Sequence, residues 1–286
     1  ALGPFIASAD RWRLEGSWRE AQSLAAASMS APTPHLPGIM SVGMEWRRER
    51  VRLGTGTSPV SLAAEEERLR GFVELAEWVT PALSLRGGVG LERWPARGRV
   101  GSVSVGMTWL GMEDDVRLST SADHWRGGGE PFTRGSVALR LRRSLVGPVD
   151  GRISAGATAV SASAPAMVWP GAGTGRVRDP LLRGHPLEED GAIAGPAFGR
   201  RLAYATGELR LSRRLGPLRY GGAVIVDLAK AWERSAQGAV EQVPESPLLV
   251  DPGIGLFLDT GDRELRLDLA RGESRWVLTA GVRAPS

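Results

Sequence analysis

The chain has 286 residues with 10 Trp, 38 Gly, no cysteine and a net charge of +4, and Lys230 is its only lysine. The lack of cysteine excludes disulfides and thiolate metal sites, and the modest arginine-borne charge has no dense basic run of the kind nucleic acid requires. No segment reaches the ~20 consecutive apolar residues of a spanning helix, and Ala1 opens no signal peptide, because no charged start leads into a long apolar run.

Period-two alternation dominates the chain, and helical periodicity is hard to find. The predicted strands are roughly 11–20, 39–46, 48–54, 71–79, 82–92, 101–110, 115–123, 135–145, 151–163, 201–213, 219–230, 253–259, 263–270 and 275–283, fourteen in all. Leu2–Ala9 and Gln22–Met29 leave room for more. His35 lies between prolines in a predicted loop, and Glu65-Glu66-Glu67-Arg68 reads as a solvated loop or short helical turn. Further on, Leu83, Leu85, Val89 and Leu91 oppose Ser84, Arg86, Gly88 and Glu92, and Val103, Val105, Met107 and Trp109 oppose Ser102, Ser104, Gly106 and Thr108. A slip of one residue would exchange these faces, so the pattern fixes the register.

Asp123 and His124 are adjacent at a strand's outer end, which turns their side chains to opposite faces and argues against an acid–base pair. Three scattered histidines suggest no zinc site. Gly171-Ala172-Gly173-Thr174-Gly175 is followed by no P-loop lysine and reads as slack in a loop of about 164–200. No cofactor and no catalytic residue is expected. A loop of that length in a compact chain is functional or disordered.

Alternate connections are short: Thr80-Pro81, Gly111–Asp114, Val146–Asp150, Gly216–Leu218 and Thr260–Asp262. Most of those between are longer, namely Ala21–Gly38, Thr55–Arg70, His124–Arg134, Ala164–Arg200 and Ala231–Pro252, with Arg271–Ser274 the exception. Outer-membrane barrels have this asymmetry of short periplasmic turns and long outer loops. A soluble β-sandwich or barrel alternates too. Trp46, Trp78, Trp94, Trp109, Trp125, Trp232 and Trp276, however, fall at or near strand ends, where an indole suits a membrane interface. The reading is an all-β chain, a transmembrane antiparallel up-and-down β-barrel over residues 1–286.

The segment Leu181–Val282 resembles the C-terminal barrel of the BamA/TamA superfamily of outer-membrane assembly factors. Leu182-Arg183-Gly184 matches that family's inward-folding loop tip, with His185 where the family has Phe or Tyr. Glu208 in Thr206-Gly207-Glu208-Leu209-Arg210 matches a Glu on the next strand. Asp227 in Val224–Trp232 matches an Asp on the strand after it, and Gly253-Ile254-Gly255-Leu256 and Leu265–Ala270 fit the following two strands. The resemblance implies sixteen strands, five of them after the loop, which is the number read there.

It also implies that Arg183, Gly184 and His185 lock the loop in the lumen against Glu208 and Asp227. A guanidinium fork suits paired carboxylates. The residues alone leave a second possibility, that Arg183 is solvated and Glu208 and Asp227 pair with arginines such as Arg210. The last strand would form one side of a lateral seam, with Trp276, Leu278, Ala280 and Val282 facing lipid and the chain running on to Arg283-Ala284-Pro285-Ser286. The implied function is non-enzymatic insertion or translocation of unfolded outer-membrane or secreted protein clients at the bacterial outer membrane, with membrane lipid the other partner and no nucleic acid. Fewer than forty residues precede the second predicted strand, which leaves this chain no periplasmic receiving domains. A passive channel or the membrane anchor of a longer protein is the first alternative, and a soluble ligand-binding β-domain the second.

Overall fold

A computed structural model describes residues 5–9, 12–33, 37–53, 63–111, 115–174, 178, 181–235, 244–261, 263–273 and 275–283. The strands in chain order begin with β1 (Phe5–Ala9), β2 (Trp12–Trp18), β3 (Gln22–Pro32), β4 (Ile39–Arg52) and β5 (Ala63–Thr80). They continue with β6 (Leu83–Trp94), β7 (Gly98–Gly111), β8 (Val116–Arg126), β9 (Phe132–Ser144) and β10 (Val149–Val160). Two two-residue strands, β11 (Glu188–Glu189) and β12 (Ala192–Ile193), lie in a long loop. The chain finishes with β13 (Arg201–Leu215), β14 (Leu218–Trp232), β15 (Leu249–Asp259), β16 (Glu264–Arg271) and β17 (Trp276–Arg283). Leaving β11 and β12 aside, fifteen of these form the wall of an antiparallel up-and-down β-barrel, each paired with its sequence neighbour and β10 pairing with β13.

Inward and outward residues alternate along every long strand. On β14, Ile225, Asp227 and Ala229 are buried inside, whereas Val224 and Val226 are exposed outside. Leu209, Leu211, Ile254, Leu256, Leu267 and Leu278 extend that apolar exterior. Exposed apolar surface on this scale suits a hydrocarbon solvent rather than water.

The elements read from sequence differ from these in several places. The two strands expected at 39–46 and 48–54 are one continuous strand, β4, over Ile39–Arg52, with Gly54 outside the described residues. The strand runs unbroken through its charged stretch Arg47–Arg50 because a barrel interior is polar, and Glu45, Arg47 and Glu49 point inward. Ala21–Gly38, counted among the longer connections, contains β3 in the stretch from Gln22 that was left open for a strand, its run of Ala and Ser carrying only weak alternation. Glu65-Glu66-Glu67-Arg68 lies in β5, with Glu65 bonded to Arg48 outside and Arg68 to Glu45 inside. Nor is Gly171–Thr174 slack: Gly171 bridges Phe198, Thr174 bridges Pro186, and a Cβ on Gly173 would lie 2.6 Å from Leu187. Gly175, His35 and Ala284–Ser286 fall outside the described residues.

Trp94 and Trp125 also depart from the interfacial placement. Both point into the mouth of the barrel, where their indole N–H groups donate to the two oxygens of Glu92, each at 2.9 Å. Trp125 stacks on Phe132 at 4.8 Å between ring centroids. They turn inward because the mouth holds apolar loop surface for them to cover. Trp18, Trp78, Trp109 and Trp276 are exposed.

That loop surface makes the main apolar core. Ala164, Ala166, Met167, Val168, Trp169, Leu187, Ile193 and Phe198 from the β10–β13 connection pack with Val51, Trp94, Val100, Trp125 and Phe132 of the wall. The 3-10 turn Ala166–Val168 lies within this cluster. The mouth is therefore filled from within.

Candidate functional site: a loop braced across the lumen

The β10–β13 loop enters the lumen and returns, and its tip carries the polar contacts. Leu182 is buried beside Ala229, Ala231 and Leu249, which anchors the backbone just before the charged residue. Arg183 follows, 2% exposed. Its Nη1 donates to both oxygens of Asp227 at 2.6 and 2.8 Å, and its Nε donates to Asp268 at 2.9 Å. The backbone N–H of Arg183 also donates to Asp227, at 3.1 Å. Asp227 on β14 is itself wholly buried. One guanidinium thus joins β14 to β16 through the loop.

Gly184 fits because it has no side chain. Its backbone lies directly against that of Gly272 in the β16–β17 turn, where a Cβ on either residue would meet the other's backbone. Its N–H donates to Asp251 at 2.5 Å. The other oxygen of Asp251 lies 2.7 Å from Nδ1 of His185. That hydrogen bond, with the negative charge behind it, raises the His185 pKa above its ordinary value. An imidazole here supplies a hydrogen bond to Asp251 that an aromatic hydrocarbon ring at the same place would not.

Glu208 does not touch Arg183. It accepts from Arg210 at 2.5 Å and from Arg266 at 2.9 Å, and Arg210 reaches on to Glu264, also at 2.5 Å. Arg266 in turn donates to Asp268 at 2.7 Å. Glu208 is therefore connected to Arg183 only through Arg266 and Asp268. The reason is geometric: Glu208 stands opposite Ile225, whereas Asp227 stands opposite Thr206, nearer the loop end. The sequence reading of Glu208 as paired with Arg210 describes this half of the cluster, and the pairing of Asp227 with Arg183 describes the other.

Two carboxylates of the site, Asp251 and Asp268, were not singled out from sequence, though strand parity turns both inward. A second anchor was missed as well. Arg178 donates to both oxygens of Glu49 on β4, each at 2.8 Å, and to the carbonyls of Met167 and Trp169. Beside it Glu66 on β5 accepts from the Met167 N–H at 3.0 Å, and Ile193 of β12 pairs in parallel with Val51 of β4. The loop is thus fastened to opposite walls of the barrel.

Trp276, Leu278, Ala280 and Val282 all point outward from β17. Asp123 faces inward and His124 outward from β8, so the two form no pair. Among the described residues no group of His, Asp and Glu has the makings of a metal site.

No family model matches the chain, and no curated protein matches it. Solved structures do. BamA from Haemophilus ducreyi lacking POTRA domains 1–3 superposes with a TM-score of 0.68 at 12% identity, over 95% of this chain and 64% of that one. CdiB from Acinetobacter baumannii gives 0.59 at 14%, over 95% and 53%, and CdiB from Escherichia coli 0.56 at 14%, over 96% and 54%. The fold is that of a BamA-type barrel. The chain spans less than two thirds of the length of each of these structures.

Proposed function

We propose that this chain is the membrane barrel of an outer-membrane factor that inserts or translocates polypeptides, acting without covalent chemistry, with clients adding at the seam between its first and last strands. The observation that supports this reading is the shortness of the first and last strands. β1 and β2 have five and seven residues and β16 and β17 eight each, against fourteen and eighteen in β4 and β5. Among the described residues no ladder registers β17 with β1 or β2, although every other neighbouring pair in the wall has one. An open strand edge presents unpaired N–H and C=O groups, which bind an incoming strand with little regard for its sequence. The loop tip, bound to β14, β15 and β16, would hold one bank of the seam in place. A passive channel needs an open lumen, and the filled mouth favours assembly over it.

The test uses liposomes with an unfolded barrel protein as client. Faster client folding than in empty liposomes supports the reading. The chain has no native cysteine, so a pair of cysteines introduced one in β1 and one in β17 and joined by a bis-maleimide should bridge the seam and abolish the acceleration. No acceleration by the unlinked protein, together with steady ion conductance, would leave a channel. Full solubility without detergent would leave a soluble β-domain.

A further inference from the structure

Elsewhere in the lumen, inward arginines meet carboxylates: Arg68 with Glu45, Arg210 with Glu208 and Glu264, Arg266 with Asp268, Arg219 with Asp150. The wall formed by β8, β9 and β10 near the short turns is different. Strand parity turns Arg117, Arg140, Arg142 and Arg152 inward there, alongside buried Trp125, Phe132 and Asp150 on the same faces. Register sets Arg117 directly opposite Arg140, and Arg142 directly opposite Arg152. Like charges facing each other across strands are destabilising.

No carboxylate forms an ion pair with any of the four among the described residues. Asp150 is taken by Arg219 and Ser144, and Glu208, opposite Arg152 on its other side, is taken by Arg210 and Arg266. The Nε of Arg152 is buried without a hydrogen-bond partner. Arg117, Arg140 and Arg142 are exposed to the lumen.

We propose that these four arginines form a lumenal docking face for an extended acidic segment of polypeptide. Arg140 and Arg142 stand two residues apart on one strand, a spacing of roughly 7 Å that equals the spacing of alternate side chains on an extended peptide. Carboxylates at alternate positions of such a segment would meet both guanidiniums in forked, charge-assisted contacts. Arg117 and Arg152 flank that pair and widen the field. The connections described at this end are short, so the face is reached from the short-turn end rather than through the filled mouth. This goes beyond strand addition at the seam, and its test involves no client folding, so either idea can fail without the other.

The test measures fluorescence anisotropy of a short labelled peptide alternating Glu with Val, added to the whole barrel in uncharged detergent micelles. A matched Lys/Val peptide is the control. The Glu peptide should bind, more weakly as salt rises, and the Lys peptide should not. Arg140→Gln with Arg142→Gln should weaken binding about tenfold or more and flatten its salt dependence. Lys at both positions should restore the salt dependence and only part of the affinity. The Gln variant should unfold no more readily than the parent, because it removes like-charge repulsion. Equal binding by parent and Gln variant would overturn the proposal, as would no binding at all. Inorganic polyphosphate displacing the peptide with greater affinity would assign the face to phosphates and overturn the polypeptide reading.

Discussion

Arg183 is buried, doubly paired and backed by its own backbone N–H, so its removal leaves Asp227 and Asp268 without their cation. Breaking a buried pair costs about 3–5 kcal/mol, against the ~1 kcal/mol of an exposed one. A wide, wet lumen would suggest the smaller figure, but Arg183, Asp227 and Asp268 are all buried, so the larger applies. Arg183→Ala should free the loop to proteolysis while the barrel still shifts on heating in a denaturing gel, and Arg183→Lys should restore only part of the protection because an ammonium lacks the fork. His185 adds a pH dependence. Its pKa is raised first by the hydrogen bond to Asp251 and further by Glu273, while burial and Arg275 act against it. A raised pKa means the contribution is complete below the unfolded value of about 6.5 and is lost as pH rises through the folded value. Loop protection should therefore fall across that interval, and His185→Phe should make it independent of pH. At this scale the sequence was half legible. Arg183 and Asp227 were marked, and parity could have marked Asp268 as well, whereas Asp251 lay in an expected connection that turns out to be the start of β15. Arg178 sits in a loop without periodicity, and no local pattern could have paired it with Glu49, 129 positions away.

Among the elements, β16 and β17 contrast with β13 and β14, which run for fifteen residues each and pair from end to end. Backbone amides exchange according to the cost of opening their segment. Hydrogen exchange in micelles should be slowest in β13 and β14 and markedly faster in β2 and β17, and uniform protection around the wall would contradict a weak seam. Strand existence was readable wherever large apolar residues alternate, as in β7 and β16. It was left open in β3, whose outward positions are mostly small, and continuity was missed in β4, where the strand continues past Trp46 out of the apolar belt and its exterior becomes Arg48 and Arg50. Alternation of hydrophobicity reports a strand only over the height of the hydrocarbon.

For the molecule as a whole, the filled mouth predicts little steady ion conductance across a lipid bilayer. Arg178→Ala combined with Arg183→Ala should raise it by releasing both ends of the loop, and an unchanged, large conductance in the parent would show that the apolar cluster does not seal the lumen. The all-β barrel was legible in the strand pattern and the resemblance implied an inward-folding loop, whereas the apolar cluster that fills the mouth was not readable, because a loop's side chains carry no parity. The loop is also a mechanical member. Held at β4 and β5 on one side and at β14–β16 on the other, it works as a strut across the cylinder and fixes the distance between those walls. Among the described residues no hydrogen bond joins the loop to the arc of β17, β1, β2 and β3 between those footings. Any widening of the cylinder must be taken up in that arc, so a load applied anywhere on the rim would be felt as a hinge there.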